Sequence, residues 1–307
     1  SEVRALHAAA RTAGVVTQMG NQGRASEGIR LTREWVRAGV IGRVHTVHAW
    51  THRKGRSYSY PLEELNAPSP PPPATLQYDL WLGATPHRPY HALRGHGSWR
   101  GCPDFGSGVL GDWGCHQLDA ANFALDLGAP TVIEAASTPP KSDTFPETNT
   151  VNWLFPARGD RGAVRVQWFD GGLLPPEPVP GFKFDANGGS LLYGDKGILW
   201  VGSHSATARL LPEARMQAMR DALPPKSIPR IKGSPHNEWI DAIRRGTRCG
   251  SDFDYAAPLA ETVLLGVAAV RTRGRIEWDA TAGRVTNNNS ANQFIGPGYA
   301  YRSGWGV

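Results

Sequence analysis

Apolar residues near the start of the chain recur at helical spacing, stop, and recur again. Val3, Leu6, Ala9 and Ala10 make one stripe, with Ser1 placed to cap the helix and Gly14 to end it. Val15 to Met19 then reads as a short buried strand and Asn21 to Arg24 as a turn. A second helix is predicted over 26–38, carrying Ile29, Trp35 and Val36, with Gly39 as its stop. Helix, strand, helix is the rhythm of a parallel α/β sheet, and it occurs here only once.

From Arg43 the period changes to two. Val44, Thr46, His48 and Trp50 alternate with His45, Val47 and Ala49, which predicts a half-buried strand. Further strands are expected at 132–137, 150–155, 163–169, 190–193 and 198–201. Turns at 157–162 and 194–197 would make antiparallel neighbours. Pro68 to Pro73 reads as a surface loop or polyproline segment. Ser234 followed by Pro235 opens a helix through Trp239 and Ile243, and Leu259, Val263, Val267 and Val270 line another. The tail from Thr281 reads as an extended arm. The expected fold class is α/β, of the α+β kind: a mostly antiparallel, open-faced sheet with helices on one face. Trp153 and Trp168 are read as part of its open face, which a second copy of the chain would cover, making a homo-oligomer.

Composition narrows this picture in only a few places. Against 27 acidic residues stand 33 basic ones, a surplus of +6 spread along the chain without a cluster, so nucleic-acid binding is not expected. Cys102, Cys115 and Cys249 form no CxxC pair and no disulfide framework. No apolar run is expected to approach membrane-spanning length, so no membrane partner is expected. The first residues read as a helix rather than a signal peptide.

The densest chemistry lies in DFGSGVLGDWGCHQLD, residues 104–119. A helix is expected to start near Asp112. Asp112 and His116, four apart, would then share a face, where a carboxylate can orient an imidazole for general-base work on a hydroxyl. A structural cap and a satisfied histidine are the alternative. Gly106 to Gly111 spells G-x-G-x-x-G, but no strand precedes it, so it is not read as a dinucleotide fingerprint. His91, His96, Cys102, Asp112, Cys115 and His116 crowd together without any zinc-ligand spacing, and no metal is expected. Tyr90, His91, Trp99 and Arg100, on the loop leading in, have the side chains that stack on sugar rings and bond hydroxyls.

Four stretches resemble one family in order: AARTAGVVTQMGNQGR; YDLWLGATPHRPYHALRGHGSWR with the 104–119 motif; VQWFDGGLLPPEP with GGSLLYGDKGILWVG; and SPHNEWIDAIRRGTRCGSDFDYAAPLAETVLLGVAAVRTRGRIEWD. The family is that of glucose–fructose oxidoreductase, inositol dehydrogenase and rhizopine catabolism (Gfo/Idh/MocA). The resemblance implies NAD- or NADP-linked oxidation or reduction of a sugar, polyol or glycoside, in a bacterial cytoplasm or periplasm. His116 would take the hydroxyl proton, and Asp112 would orient it or hold a substrate hydroxyl. Tyr90, His91, Trp99 and Arg100 would touch substrate, and Asn21, Gln22 and Arg24 would lie beside the cofactor.

The resemblance also implies a division. Residues 1–39 correspond to the end of a Rossmann-type cofactor domain, and 40–307 to the substrate-binding and catalytic domain. The glycine-rich phosphate loop, the acidic ribose ligand and the Glu-Lys-Pro lysine of relatives have no counterpart in these 307 residues. The expectation is therefore an oxidoreductase's substrate part that binds dinucleotide weakly by itself. A redox-type glycosidase or lyase, or a cofactor-free carbohydrate-binding or hydrolytic relative, is the alternative.

Overall fold

The alternating segments assemble into one nine-stranded sheet. A computed structural model describes residues 1–54, 58–95, 97–296 and 300–305. Along the chain, α1 (Glu2–Ala13) and α2 (Glu27–Arg37) precede β1 (Val44–Trp50), α3 (Leu62–Asn66), α4 (Tyr78–Leu82) and α5 (Gly108–Leu125). Then come β2 (Val132–Ser137), β3 (Asn149–Phe155), β4 (Val164–Phe169), β5 (Gly189–Gly194), β6 (Gly197–Gly202) and β7 (Ala208–Leu211). The chain continues through α6 (Glu213–Ala218), α7 (Pro235–Arg245), α8 (Phe253–Thr272), β8 (Arg275–Asp279) and β9 (Arg284–Val285). The strand order is β7-β6-β5-β1-β4-β3-β2-β8-β9, and only β1 and β4 pair in parallel.

The period of two decides which side each residue takes. Val47, Val151, Val166 and Leu192 point to the side covered by α5 and α8 and are fully buried. Trp153 and Trp168 also lie on this covered side, which corrects their expected place on the open face. Trp153 donates its indole N–H to the Thr262 carbonyl of α8 at 2.9 Å, a partner that only the helix side supplies. On the opposite side, Trp50 and Leu191 are buried beneath Phe182, Phe184 and Val179 of the loop that follows β4. The rest of that face is more polar, with Gln167 bonded to Asn152 and Leu154 exposed.

Several local expectations change. Residues 15–19 form no strand: no other strand runs beside them among the described residues. Their backbone is met instead by Ser251, whose carbonyl accepts from Met19 N–H at 2.9 Å, and by Trp239 at the Val16 carbonyl. Ser1 gives α1 no side-chain cap; its ammonium donates to the Ile295 carbonyl at 2.8 Å, tying α1 to the C-terminal segment. Gly14 does end α1, in the left-handed conformation. In α7, Ser234 caps through Asn237 N–H, Pro235 fills the first turn and Gly246 closes the helix. The strands β7, β8 and β9 carry no strong period and were not anticipated. Nor was the length of α8. Its 20 residues are long and apolar enough to cross a membrane by composition, which corrects the reading that no run approaches that length. More than half of that window is buried, against the sheet, α5 and α1. His96, one of the crowded candidate ligands, lies outside the described residues.

Candidate functional site

Helix α5 carries the site and starts earlier than the sequence suggested. Ser107 stands at its N-cap and the helix runs from Gly108, so Asp112 is in the second turn rather than at the start. Three glycines in six residues have poor helix propensity and hid the beginning. They have another use here. At Gly106 a Cβ would lie 2.6 Å from the Arg100 Cα, so this glycine lets two backbone segments touch. No strand leads into it, and the phosphate-loop spelling is a packing feature.

Asp112 and His116 share the helix, but the carboxylate does not bond the imidazole. Asp112 Oδ2 accepts from the Tyr58 hydroxyl at 2.6 Å and Oδ1 from Arg100 Nε at 3.1 Å. Trp113 Nε1 donates in turn to the Tyr58 oxygen at 3.2 Å. Burial first, then the bond to Asp112, pushes the Tyr58 phenol up to about 12, so it stays a donor at neutral pH. The Arg100 guanidinium also lies 4.6 Å from the Trp99 ring centre. The structure thus brings Trp99, Arg100 and Asp112 together, and adds Tyr58, which no motif had marked.

His116 has a different neighbour. Its ring centre is 4.7 Å from that of His204, and Trp113 meets both rings edge-on at 6.1 and 5.2 Å. Burial lowers the His116 pKa, His204 lowers it further, and the Asp112 charge opposes them. The ring is therefore held neutral, the state a proton acceptor requires. His116 Nδ1 is buried and has no hydrogen-bond partner among the described residues.

His204 sits in the left-handed region, φ 53° and ψ 29°, an uncommon place for a non-glycine residue. Its tautomer follows from proton counting. The Ser203 hydroxyl donates its one proton to the Asn187 carbonyl at 3.1 Å and accepts from Gln117 Nε2 at 3.0 Å. It can only accept from His204 Nδ1, 2.8 Å away, so His204 carries its proton on Nδ1 and leaves Nε2 bare. Burial first, then the nearby Arg53, lowers the His204 pKa as well. Arg53 itself lies 4.7 Å from the Trp113 ring centre. An isolated histidine between two serines gave no sequence signal for this role; the unusual φ is visible only in the fold.

The remaining candidates divide. Tyr90 and His91 line a separate cavity that neither Asp112 nor His116 lines. Asn21 and Arg24 face inward. Asn21 Nδ2 donates to Asp119 at 2.7 Å, and Asn21 accepts from Ser251. Arg24 donates to the Gly250 carbonyl at 2.7 Å and is sandwiched 3.4 and 4.1 Å from the Phe123 and Tyr255 ring centres. Tyr255 bonds the other oxygen of Asp119. Burial raises Asp119 to about 6 despite Arg24 nearby. Gln22 alone of the three is exposed. Its neighbour Gly23 is pressed on the His204 backbone, where a Cβ would come within 2.0 Å of the carbonyl oxygen. The 21–24 turn is thus beside the histidine pair. No three His, Cys, Asp or Glu side chains are grouped to hold a metal among the described residues.

Residues 29–155 match the Gfo/Idh/MocA domain model described as the oxidoreductase family's C-terminal alpha/beta domain. No curated protein matches. Among solved structures, aldose-aldose oxidoreductase from Caulobacter crescentus, complexed with glycerol, is 14% identical at a TM-score of 0.54, over 90% of this chain and 68% of that one. The WlbA dehydrogenase from Bordetella pertussis, in complex with NADH and UDP-GlcNAcA, is 14% identical at 0.52, over 90% and 67%. A levoglucosan dehydrogenase in complex with NADH and L-sorbose is 14% identical at 0.51, over 90% and 69%. At these identities the likeness is one of fold.

Proposed function

We propose, from the premise that this chain carries the C-terminal domain of the Gfo/Idh/MocA oxidoreductases, that it forms the substrate-binding and proton-handling part of an NAD(P)-linked oxidoreductase acting on a sugar or polyol hydroxyl. The observation that carries the reading is the neutral, half-buried His116 on α5, flanked by a donor-rich Asp112 cluster. The aldose-aldose oxidoreductase complexed with glycerol and the two dehydrogenases in complex with NADH have a similar fold, which is in keeping with it.

In this reading His116 accepts the proton of the reacting hydroxyl. His204, with Nε2 bare, is a second acceptor 4.7 Å away between ring centres and can share or relay that proton. Asp112, already bonded by Tyr58 and Arg100, offers its remaining lone pairs to a substrate hydroxyl. Trp99 and Trp113 give flat apolar surface for C–H faces. A bound nicotinamide would supply the hydride acceptor. Gln22, exposed on the turn beside the histidine pair, is the residue that would face it. No stretch of the described residues forms a strand, glycine loop and helix in sequence, which is what a pyrophosphate needs. Residues 1–39 are read as belonging with a cofactor unit, and the polar part of the open sheet face as a homo-oligomer contact.

The test is turnover of an aldose and polyol panel with NAD+ or NADP+, followed at the reduced-nicotinamide absorbance. His116→Ala should lower turnover by at least about 100-fold while sugar affinity stays within about threefold. Equal turnover in both proteins overturns the reading. Sugar binding with no turnover and no nucleotide binding favours the carbohydrate-binding alternative.

A further inference from the structure

The cavity holding Tyr90 has its own chemistry. It measures about 330 Å³ and is lined by Pro73, Leu76, Tyr78, Trp81, Tyr90 and Arg94 with their neighbours. That is the lower end of the range for small-molecule sites, enough for one ring-sized ligand. Tyr78 and Trp81, both on α4, stack at 5.8 Å with their planes 14° apart, and Tyr90 stands edge-on to Tyr78 at 5.4 Å. The Tyr78 hydroxyl donates to the Arg88 carbonyl at 2.8 Å, and Trp81 meets Phe105 at 4.8 Å, so the aromatic wall is anchored from behind.

Arg94 is the anomaly in this wall. Among the described residues its Nη1 donates only to the Pro89 carbonyl, at 3.3 Å, and its Nε is buried without a partner. No carboxylate pairs with it among the described residues, whereas Arg88 nearby in sequence is matched by Asp104 at 2.6 Å. A guanidinium left unpaired against apolar surface is costly. The Tyr60 hydroxyl, within electrostatic reach of Arg94, is fully buried and also unpartnered. His91 on the same rim is occupied, accepting from Leu93 N–H and reaching the Ala67 carbonyl.

We propose that this cavity is a binding site, separate from the histidine pair, for a six-membered ring carrying one carboxylate. The ring lies against Tyr78, Trp81 and Tyr90, and the carboxylate pairs with Arg94. A planar guanidinium matches a carboxylate in two parallel hydrogen bonds, and one cation balances one negative charge. The ring's source can be a sugar acid or an aromatic acid, since both present a flat apolar face.

The experiment is calorimetric titration of the 307-residue chain with glucuronate, 4-hydroxybenzoate and glucose. At least one acid should bind with one-to-one stoichiometry and more tightly than glucose. The better of the two acids identifies a saccharide or an arene as the source. Arg94→Gln should weaken the acid by about tenfold or more, and Arg94→Lys, which keeps the charge and loses the fork, by less. His116→Ala should leave acid binding within about threefold, even if the redox reading of His116 fails. Absence of binding by both acids, glucose binding as tightly as the better acid, or unchanged affinity for that acid in Arg94→Gln overturns the site. If Arg94→Gln does not fold, unchanged affinity in Arg94→Lys has the same force. Loss of acid binding in His116→Ala also overturns it, by placing the ligand at the histidines.

Discussion

Two aspartates on α5, seven residues and two turns apart, have opposite fates. Asp112 is partly exposed and is held by Tyr58 and Arg100 at the edge of the histidine pair. Asp119 is completely buried and is bonded by Asn21 and Tyr255 beneath the 21–24 turn. Both sit in polar clusters, and both are near segments that the family resemblance would assign to catalysis or cofactor. The first cluster is partly open to solvent and the second is closed off from it. A polar constellation marks a site only where its hydrogen-bond capacity is not already spent inside the fold.

The sharpest way to break this comparison is to remove each carboxylate. Asp119→Ala should cost about 3–5 kcal/mol in urea unfolding, because it leaves Asn21 and Tyr255 buried without their acceptor and Arg24 without the nearby negative charge. Asp112→Ala should cost less, about 1–2 kcal/mol, since Arg100 is a third exposed and can turn to water while only the Tyr58 hydroxyl is left buried without its acceptor. Equal costs would mean that the two clusters do the same job. A core reference of similar size is Trp153→Ala, expected to lose about 3–5 kcal/mol through cavity formation.

A smaller effect concerns pH. Burial raises Asp119 to about 6 and Asp170 to about 7, above the ordinary carboxylate value of 3.8. A raised folded pKa means that the native state holds its proton longer than the unfolded chain. The contribution is therefore full below about pH 4 and is lost as pH rises to about 7. Subtracting the stability of Asp170→Asn from wild type, measured from pH 4 to 8, should show that decline. A difference that is flat or rises with pH contradicts the burial argument. Smaller still, Asp112→Asn should lower the His116 pKa further, by removing the one charge that opposes its burial and His204. Histidine ring resonances followed through pH by NMR would show the shift, and an unchanged His116 would decouple the two residues.

Legibility differed by element for physical reasons. The strands β2, β3 and β4 were readable because each has one buried and one more open side, which writes a period of two into the residues, whereas β5 is buried on both sides and was read from its apolar run. α7 was readable from Ser234, Pro235 and Gly246, whose preferences act within one turn. The supposed strand at 15–19 has the right composition, but a strand is made by its neighbour, and none is present beside it among the described residues. The side taken by Trp153 and Trp168 followed the same logic: alternation assigns them to a common face and says nothing of which face the helices cover. Tyr90 and Trp99, nine residues apart on one loop, were read as one substrate surface, but the loop carries Tyr90 into the aromatic cavity and Trp99 to Arg100.

What the sequence determined by itself was local: the periods, the caps, and the spacing that puts Asp112 and His116 on one helix. The family match at 29–155 is also a property of the residues alone. The tertiary structure decided which groups meet across long separations. It placed His204 of a β6 exit turn against His116, gave Asp112 to Tyr58 and Arg100, and closed Asp119 inside with Asn21 and Tyr255. These are contacts between segments 12 to 136 residues apart. Their geometry depends on how helices and sheet pack, because side-chain chemistry sets what a group can do and packing sets what it is offered.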